Sequence, residues 1–123
     1  MIHLDTSALI ASFAADRPAA PFLRSLISDG ERLGVSTFVL FEWWRGPRLE
    51  RELAYQELLL PRAAAVAFGA REARLAADIY KQLGRPRQRS IDIAIAACAL
   101  AQDAALWTLN PKDFKDIPGL QLV

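Results

Sequence analysis

The chain has 123 residues, 53% of them hydrophobic, and a formal net charge of +1. That length predicts one domain, residues 1–123, with a core able to stand without disulfide or metal staples. The composition excludes intrinsic disorder, and the single cysteine, Cys98, excludes an internal disulfide framework. The longest purely apolar run, residues 93–101, is far short of the ~20 residues a spanning helix needs. Asp5 interrupts the apolar start before any secretory signal can form, so the reading is a soluble cytoplasmic protein.

In chain order, residues 1–5 predict a short strand, and Thr6-Ser7 predict the cap of a helix over 8–14. A second helix starts near Pro18 and ends at Asp29-Gly30. Residues 32–36 predict a strand that closes in a cap. A strongly apolar helix follows over 38–44 and stops at Gly46-Pro47. Further helices are predicted over 49–60 and 70–83, with an Ala-rich strand over 63–68 between them. Residues 85–89 form a basic loop. Ser90 is read as the cap of a buried helix running to about Gln102. A strand over 105–109, a turn at Asn110-Pro111 and a last strand over 120–123 complete the chain. Strands alternating with helices, without hairpin signals, predict an α/β fold with a short central parallel sheet flanked by helices. Such folds gather functional groups at the carboxyl ends of their strands.

Four acidic residues stand out against that rule. Asp5 ends the first strand, where it either faces a ligand or caps the next helix. Glu42 lies among six large apolar residues, where it either pairs with Arg45 or points into a polar cavity and binds a cation. Asp92 opens the most apolar helix. The helix dipole favours it there, yet burial would demand a cation or several donors. Asp113 follows the strand over 105–109, as a turn residue or as a fourth acid on the same edge. Carboxylates packed together repel, and a divalent ion relieves that cost. Hard oxygen donors without a Cys/His cluster predict Mg²⁺ rather than zinc. The chemistry such a site supports is phosphodiester hydrolysis by metal-activated water.

The basic residues fit such a substrate. Twelve are Arg and three are Lys, and Arg recognises phosphate bidentately; a GC-rich genome would produce the same excess. Setting the four acids aside leaves fifteen basic residues against ten acidic ones, a balance of +5 that suits a nucleic-acid backbone. Arg85, Arg87 and Arg89 are candidates for an RNA-binding rim, or a solvated loop. Trp43 and Trp44, adjacent in a helix, cannot both face one core, so a partner interface is expected there. His3 is read as a structural core histidine, and Cys98 as buried and inert. No nucleophile triad, no P-loop string and no second Asp two residues after Asp5 is present.

These motifs together resemble the PIN domain family, in particular the VapC-type toxin ribonucleases of toxin–antitoxin pairs. The opening Ile2-His3-Leu4-Asp5-Thr6-Ser7 is similar to the family's strand and first acid, and Glu42 matches the second. Ser90-Ile91-Asp92-Ile93-Ala94 and Thr108-Leu109-Asn110-Pro111-Lys112-Asp113-Phe114 resemble its later elements. The resemblance implies a three-layer α/β/α fold and a Mg²⁺- or Mn²⁺-dependent endoribonuclease. Asp5 and Asp92 would be the main metal ligands, and Glu42 would join them or orient water. Thr6 would place a hydroxyl near the phosphate. Many relatives carry Asp where this chain has Asn110, so either Asp113 supplies that charge or one of two ion sites is weak. The resemblance also implies a cognate antitoxin and a homodimer. The alternative is a PIN-fold module that binds RNA or a protein without cutting.

Overall fold

The computed structural model describes residues 1–123. Three parallel strands, β1 (Ile2–Leu4), β2 (Leu33–Gly34) and β3 (Ala105–Trp107), form a sheet in the order β2-β1-β3. Ile2 pairs with both Leu33 and Ala105, so β1 is central, and all three of its residues are buried. The sheet carries six helices: α1 (Thr6–Phe13), α2 (Ala20–Ser28), α3 (Thr37–Arg45), α4 (Glu50–Leu59), α5 (Ala70–Gln82) and α6 (Ser90–Ala101). The connection from β1 to β2 and that from β2 to β3 run in opposite directions across the sheet. Right-handed crossovers therefore put their helices on opposite faces, giving the expected three layers.

Two expected strands contract to single bridges. Residues 63–68 become a 3-10 turn, Arg62–Ala64, followed by one parallel bridge from Val66 to Ser36. The Ala-rich sequence has little β-branched surface to hold a longer edge strand. At the other edge only Leu122 pairs, with Leu106. β3 stops at Trp107 rather than Leu109, because the Thr108 hydroxyl takes the Asn110 N–H at 3.0 Å and turns the chain. α2 begins at Ala20 rather than Pro18, since Arg17 just before it adopts a positive φ of 51°.

Helix caps also depart from expectation. Ser36 caps α3 as predicted for its strand end, accepting the Val39 N–H at 3.2 Å. Thr6 and Ser7 do not cap α1, whose cap position is Asp5, and their hydroxyls bond elsewhere. Ser90 lies inside α6 as its first residue and donates back to the Arg87 carbonyl at 2.8 Å.

The core centres on α6, which is buried from Ile93 through Ala99 and packs on α5, α3 and β3. Small alanines let α6 approach its neighbours closely. His3 sits in this core on β1, opposite Gly34, where a Cβ would fall 2.7 Å from its ring. Glu52 is the one buried carboxylate that the fold itself consumes: it accepts the Leu49 N–H at 2.8 Å and the Ala15 N–H at 3.0 Å. Those bonds hold its carboxyl below the usual range. No helix is long and apolar enough to cross a membrane.

The tryptophan pair divides. Trp43 is fully buried, with the Phe13 ring edge-on at 6.4 Å and the Arg48 guanidinium 4.2 Å over its face. It is therefore a core residue and not part of a partner interface, which corrects the expectation for that position. Trp44, the next residue round the helix, is exposed beneath Arg62. Replacing Trp43 with Ala is expected to cost about 3–5 kcal/mol in urea denaturation, and the same change at Trp44 well under half of that.

Candidate active site

The site lies where β1 and β3 end. Asp5 follows β1 directly, and its N–H continues the ladder to the Trp107 carbonyl at 2.9 Å. The residue is only 6% exposed. Its Oδ2 accepts the Thr108 hydroxyl at 2.8 Å and the Ser7 hydroxyl at 3.1 Å. Those hydroxyls are themselves fixed, since Thr108 Oγ1 accepts the Asn110 N–H and Ser7 Oγ the Leu109 N–H, each at 3.0 Å. The carboxylate is thus oriented by bonds to one oxygen, which leaves Oδ1 clear for another ligand.

Glu42 reaches the same region from α3, which packs against α1. Its Oε1 accepts the Thr6 hydroxyl at 2.5 Å, and its Oε2 faces Arg45 Nη2 at 3.3 Å. Glu42 therefore pairs with Arg45, as one of its two readings expected, and its charge also acts on Asp92. Asp92 stands in the first turn of α6 and is partly buried. Its carboxyl is pushed up to about 6, chiefly by burial and then by the negative charges of Asp5, Asp113 and Glu42; Arg89 acts in the opposite direction. Asp113 ends a 3-10 turn, Pro111–Asp113, and is half-buried. Asn110 opens that turn and is exposed.

Three acids from three other parts of the chain are therefore close enough to disturb Asp92. No three of the four close to the spacing that would enclose an ion by themselves. Hard divalent ions that use one or two carboxylates and keep several waters do not need such a cage. The donor set is all oxygen, and the penalty on Asp92 is one that a cation would remove. Softer ligands are not available to the site. His3 is buried in the sheet with its pKa lowered to about 4, so it stays neutral there, and the Cys98 thiol is pushed up to about 11 by burial.

Two hydroxyl residues were not singled out by sequence reasoning. Ser7 and Thr108 both touch Asp5, although each lies inside a motif string that had drawn notice. Their signal was position alone, two residues beyond Asp5 and directly after β3.

The basic loop separates into two parts. Arg85 and Arg87 are exposed and make no side-chain hydrogen bond. Arg89 corrects its expected place on an RNA-binding rim. Its guanidinium holds both oxygens of Asp116, at 2.8 and 2.7 Å, and donates to the Asp113 carbonyl at 2.8 Å. That pairing holds the Asp116 carboxyl below its usual range.

Comparison with known proteins identifies relatives over the whole length of the chain. Residues 2–120 match the model of the PIN domain family. The chain is 32% identical over 121 residues to a protein named Ribonuclease VapC19 from Mycobacterium tuberculosis, covering 96% of this chain and 95% of that one. It is similar to the structure of VapBC-1 from nontypeable Haemophilus influenzae, with a TM-score of 0.70, 26% identity and coverage of 100% and 97%. It is also similar to VapBC2 from Rickettsia felis bound to a promoter DNA fragment, with a TM-score of 0.75 and coverage of 100% and 98%. The identity there is 23%, so that likeness speaks for the fold alone.

The raised Asp92 pKa has a stability consequence. The metal-free folded state holds this proton more tightly than the unfolded chain, so stability falls as pH rises from about 4 to about 6. Asp92→Asn is therefore expected to stabilise the metal-free protein at pH 7. The gain should be on the order of 1 kcal/mol after solvent screening, and should vanish near pH 4. Urea denaturation in EDTA at the two pH values checks this.

Proposed function

The chain belongs to the PIN domain family, and from that membership we propose that it is a divalent-metal-dependent endoribonuclease, the toxin of a toxin–antitoxin pair. The observation that carries the reading is the convergence of Asp5, Glu42, Asp92 and Asp113 on one sheet edge, with Asp92 disfavoured as a lone anion. A cation is the simplest group that makes this edge stable with all four acids ionised. The name of the similar Mycobacterium tuberculosis protein supports a ribonuclease, and those of the similar complexes support an antitoxin partner.

In this reading Asp5 and Asp92 hold Mg²⁺ or Mn²⁺, with Asp113 and Asn110 at the outer position, where a second ion would sit. When bound, the ion supplies charge stabilisation on the phosphate and makes water a better nucleophile. The chain's own groups do the rest. Ser7 and Thr108 fix the Asp5 carboxylate through Oδ2, and Oδ1 would be the oxygen offered to the ion. Thr6 donates to Glu42 in the structure, which places a hydroxyl and a carboxylate side by side. Glu42 would orient the attacking water, and the Thr6 hydroxyl would lie near the phosphate. Arg85 and Arg87 are free to meet the RNA backbone, whose charge they complement.

The antitoxin and a second copy of the chain need apolar surface. Phe41, Trp44, Leu49, Leu58 and Leu59 are exposed large hydrophobic residues on or beside α3 and α4. Clusters of this kind mark partner surfaces. A cytoplasmic site of action is part of the same proposal.

The test is RNA cleavage by purified, antitoxin-free protein with Mg²⁺ or Mn²⁺, beside EDTA and folded Asp92→Asn protein. The expected result is metal-dependent cutting that falls about 100-fold or more in the variant. Cutting that persists in EDTA, or that Asp92→Asn leaves intact, contradicts the proposal.

A further inference from the structure

Arg89 is the most heavily engaged arginine of the chain, yet it stands three residues before Asp92. It occupies the cap position of α6, and its own N–H is bonded to the Pro86 carbonyl at 2.9 Å. Its two terminal nitrogens grip Asp116 in a fork, and one of them also holds the Asp113 carbonyl. A two-pronged grip of this kind is directional as well as strong. Its Nε is closed off from solvent with no partner, so the terminal nitrogens carry all the hydrogen bonds that hold the side chain in place. Arg89 therefore joins the start of α6 to a segment more than twenty residues downstream.

The joined segment carries Asp113, whose carbonyl Arg89 holds from a position three residues before Asp92. Like charges push these two apart, and the 3-10 turn holding Asp113 is short. Within that turn the Asp113 N–H bonds back to the Asn110 carbonyl at 3.0 Å, and Phe114 is buried just behind it. Phe114 anchors the turn in the core cluster that α6 shares, and the Arg89 fork adds a directional polar tie from the start of α6.

We propose that Arg89 and Asp116 form a positioning clamp that holds Asp113 beside Asp92 and so sets the geometry of the outer part of the acidic site. Arg89 is then a positioning residue that touches neither RNA nor ion, and Asp116 shares its role although it faces solvent. This deepens the proposed nuclease reading and rests on it. A phosphate-binding Arg would need free terminal nitrogens; here both are committed to carboxylate and carbonyl oxygens.

The test compares native protein with Asp116→Ala and Arg89→Lys. Three quantities are read: the melting temperature in EDTA, the affinity for Mn²⁺ alone by calorimetry, and kcat and KM for RNA cleavage. Both variants are expected to bind Mn²⁺ about 10-fold more weakly, as for other groups that hold a metal ligand in place. Both should lose kcat with KM changed less than about 2-fold. Lys at position 89 keeps the charge and loses the fork, so it should not rescue. Asp116→Asn serves in place of Asp116→Ala should the latter melt below the assay temperature. Unchanged Mn²⁺ affinity in the folded variants overturns the clamp. So does a raised KM confined to Arg89→Lys, which would return Arg89 to RNA binding. A native protein that binds no Mn²⁺ removes the nuclease reading and the clamp together.

Discussion

Mutual repulsion among carboxylates at one sheet edge is the constraint to which the rest of this structure answers. Asp5, Glu42, Asp92 and Asp113 arrive from β1, α3, α6 and the turn after β3. In water such charges would separate. Here the sheet, the α1–α3 packing and the buried α6 hold them together, and Asp92 carries the cost as a carboxyl pushed up to about 6. Folding stability is being spent on a site, a pattern typical of groups arranged for ligand binding.

Each acid is held by a different means. Asp5 is fixed by two hydroxyls, and those hydroxyls are fixed by backbone N–H groups of the chain leaving β3. Glu42 is shared between the Thr6 hydroxyl and Arg45. Asp92 opens a helix that is buried from the next residue, Ile93, through Ala99, which anchors its position. Asp113 depends on the Arg89 grip. The side chains after β1 thus leave helix capping to the backbone. Thr6 and Ser7 are the first two residues of α1, and their hydroxyls are turned towards carboxylates.

The parts legible in sequence were those set by local pattern. An apolar strand closing on Asp5, and an apolar helix opening on Asp92, are read directly from residue order. The carboxyl-edge rule then places Asp5 and the residues after β3 together without any knowledge of packing. What pattern did not carry was pairing over distance. Arg89 reads as one of three basic loop residues, because Asp116 is 27 positions away. Trp43 and Trp44 are adjacent and alike, and only the packing of α3 decides which is interior. The edge strands were overread for a related reason: Val66 and Leu122 make one bridge each, held by neighbours rather than by their own segments.

The account's central claim is that the acidic edge awaits a cation, and proton release on metal binding tests it most directly. Mn²⁺ can be titrated calorimetrically into the metal-free protein at pH 6 and pH 8, in buffers of differing ionisation enthalpy. Near pH 6 Asp92 is about half protonated, so binding should expel roughly half a proton, and almost none at pH 8. Binding without proton release at pH 6, or no binding at either pH, would contradict the claim.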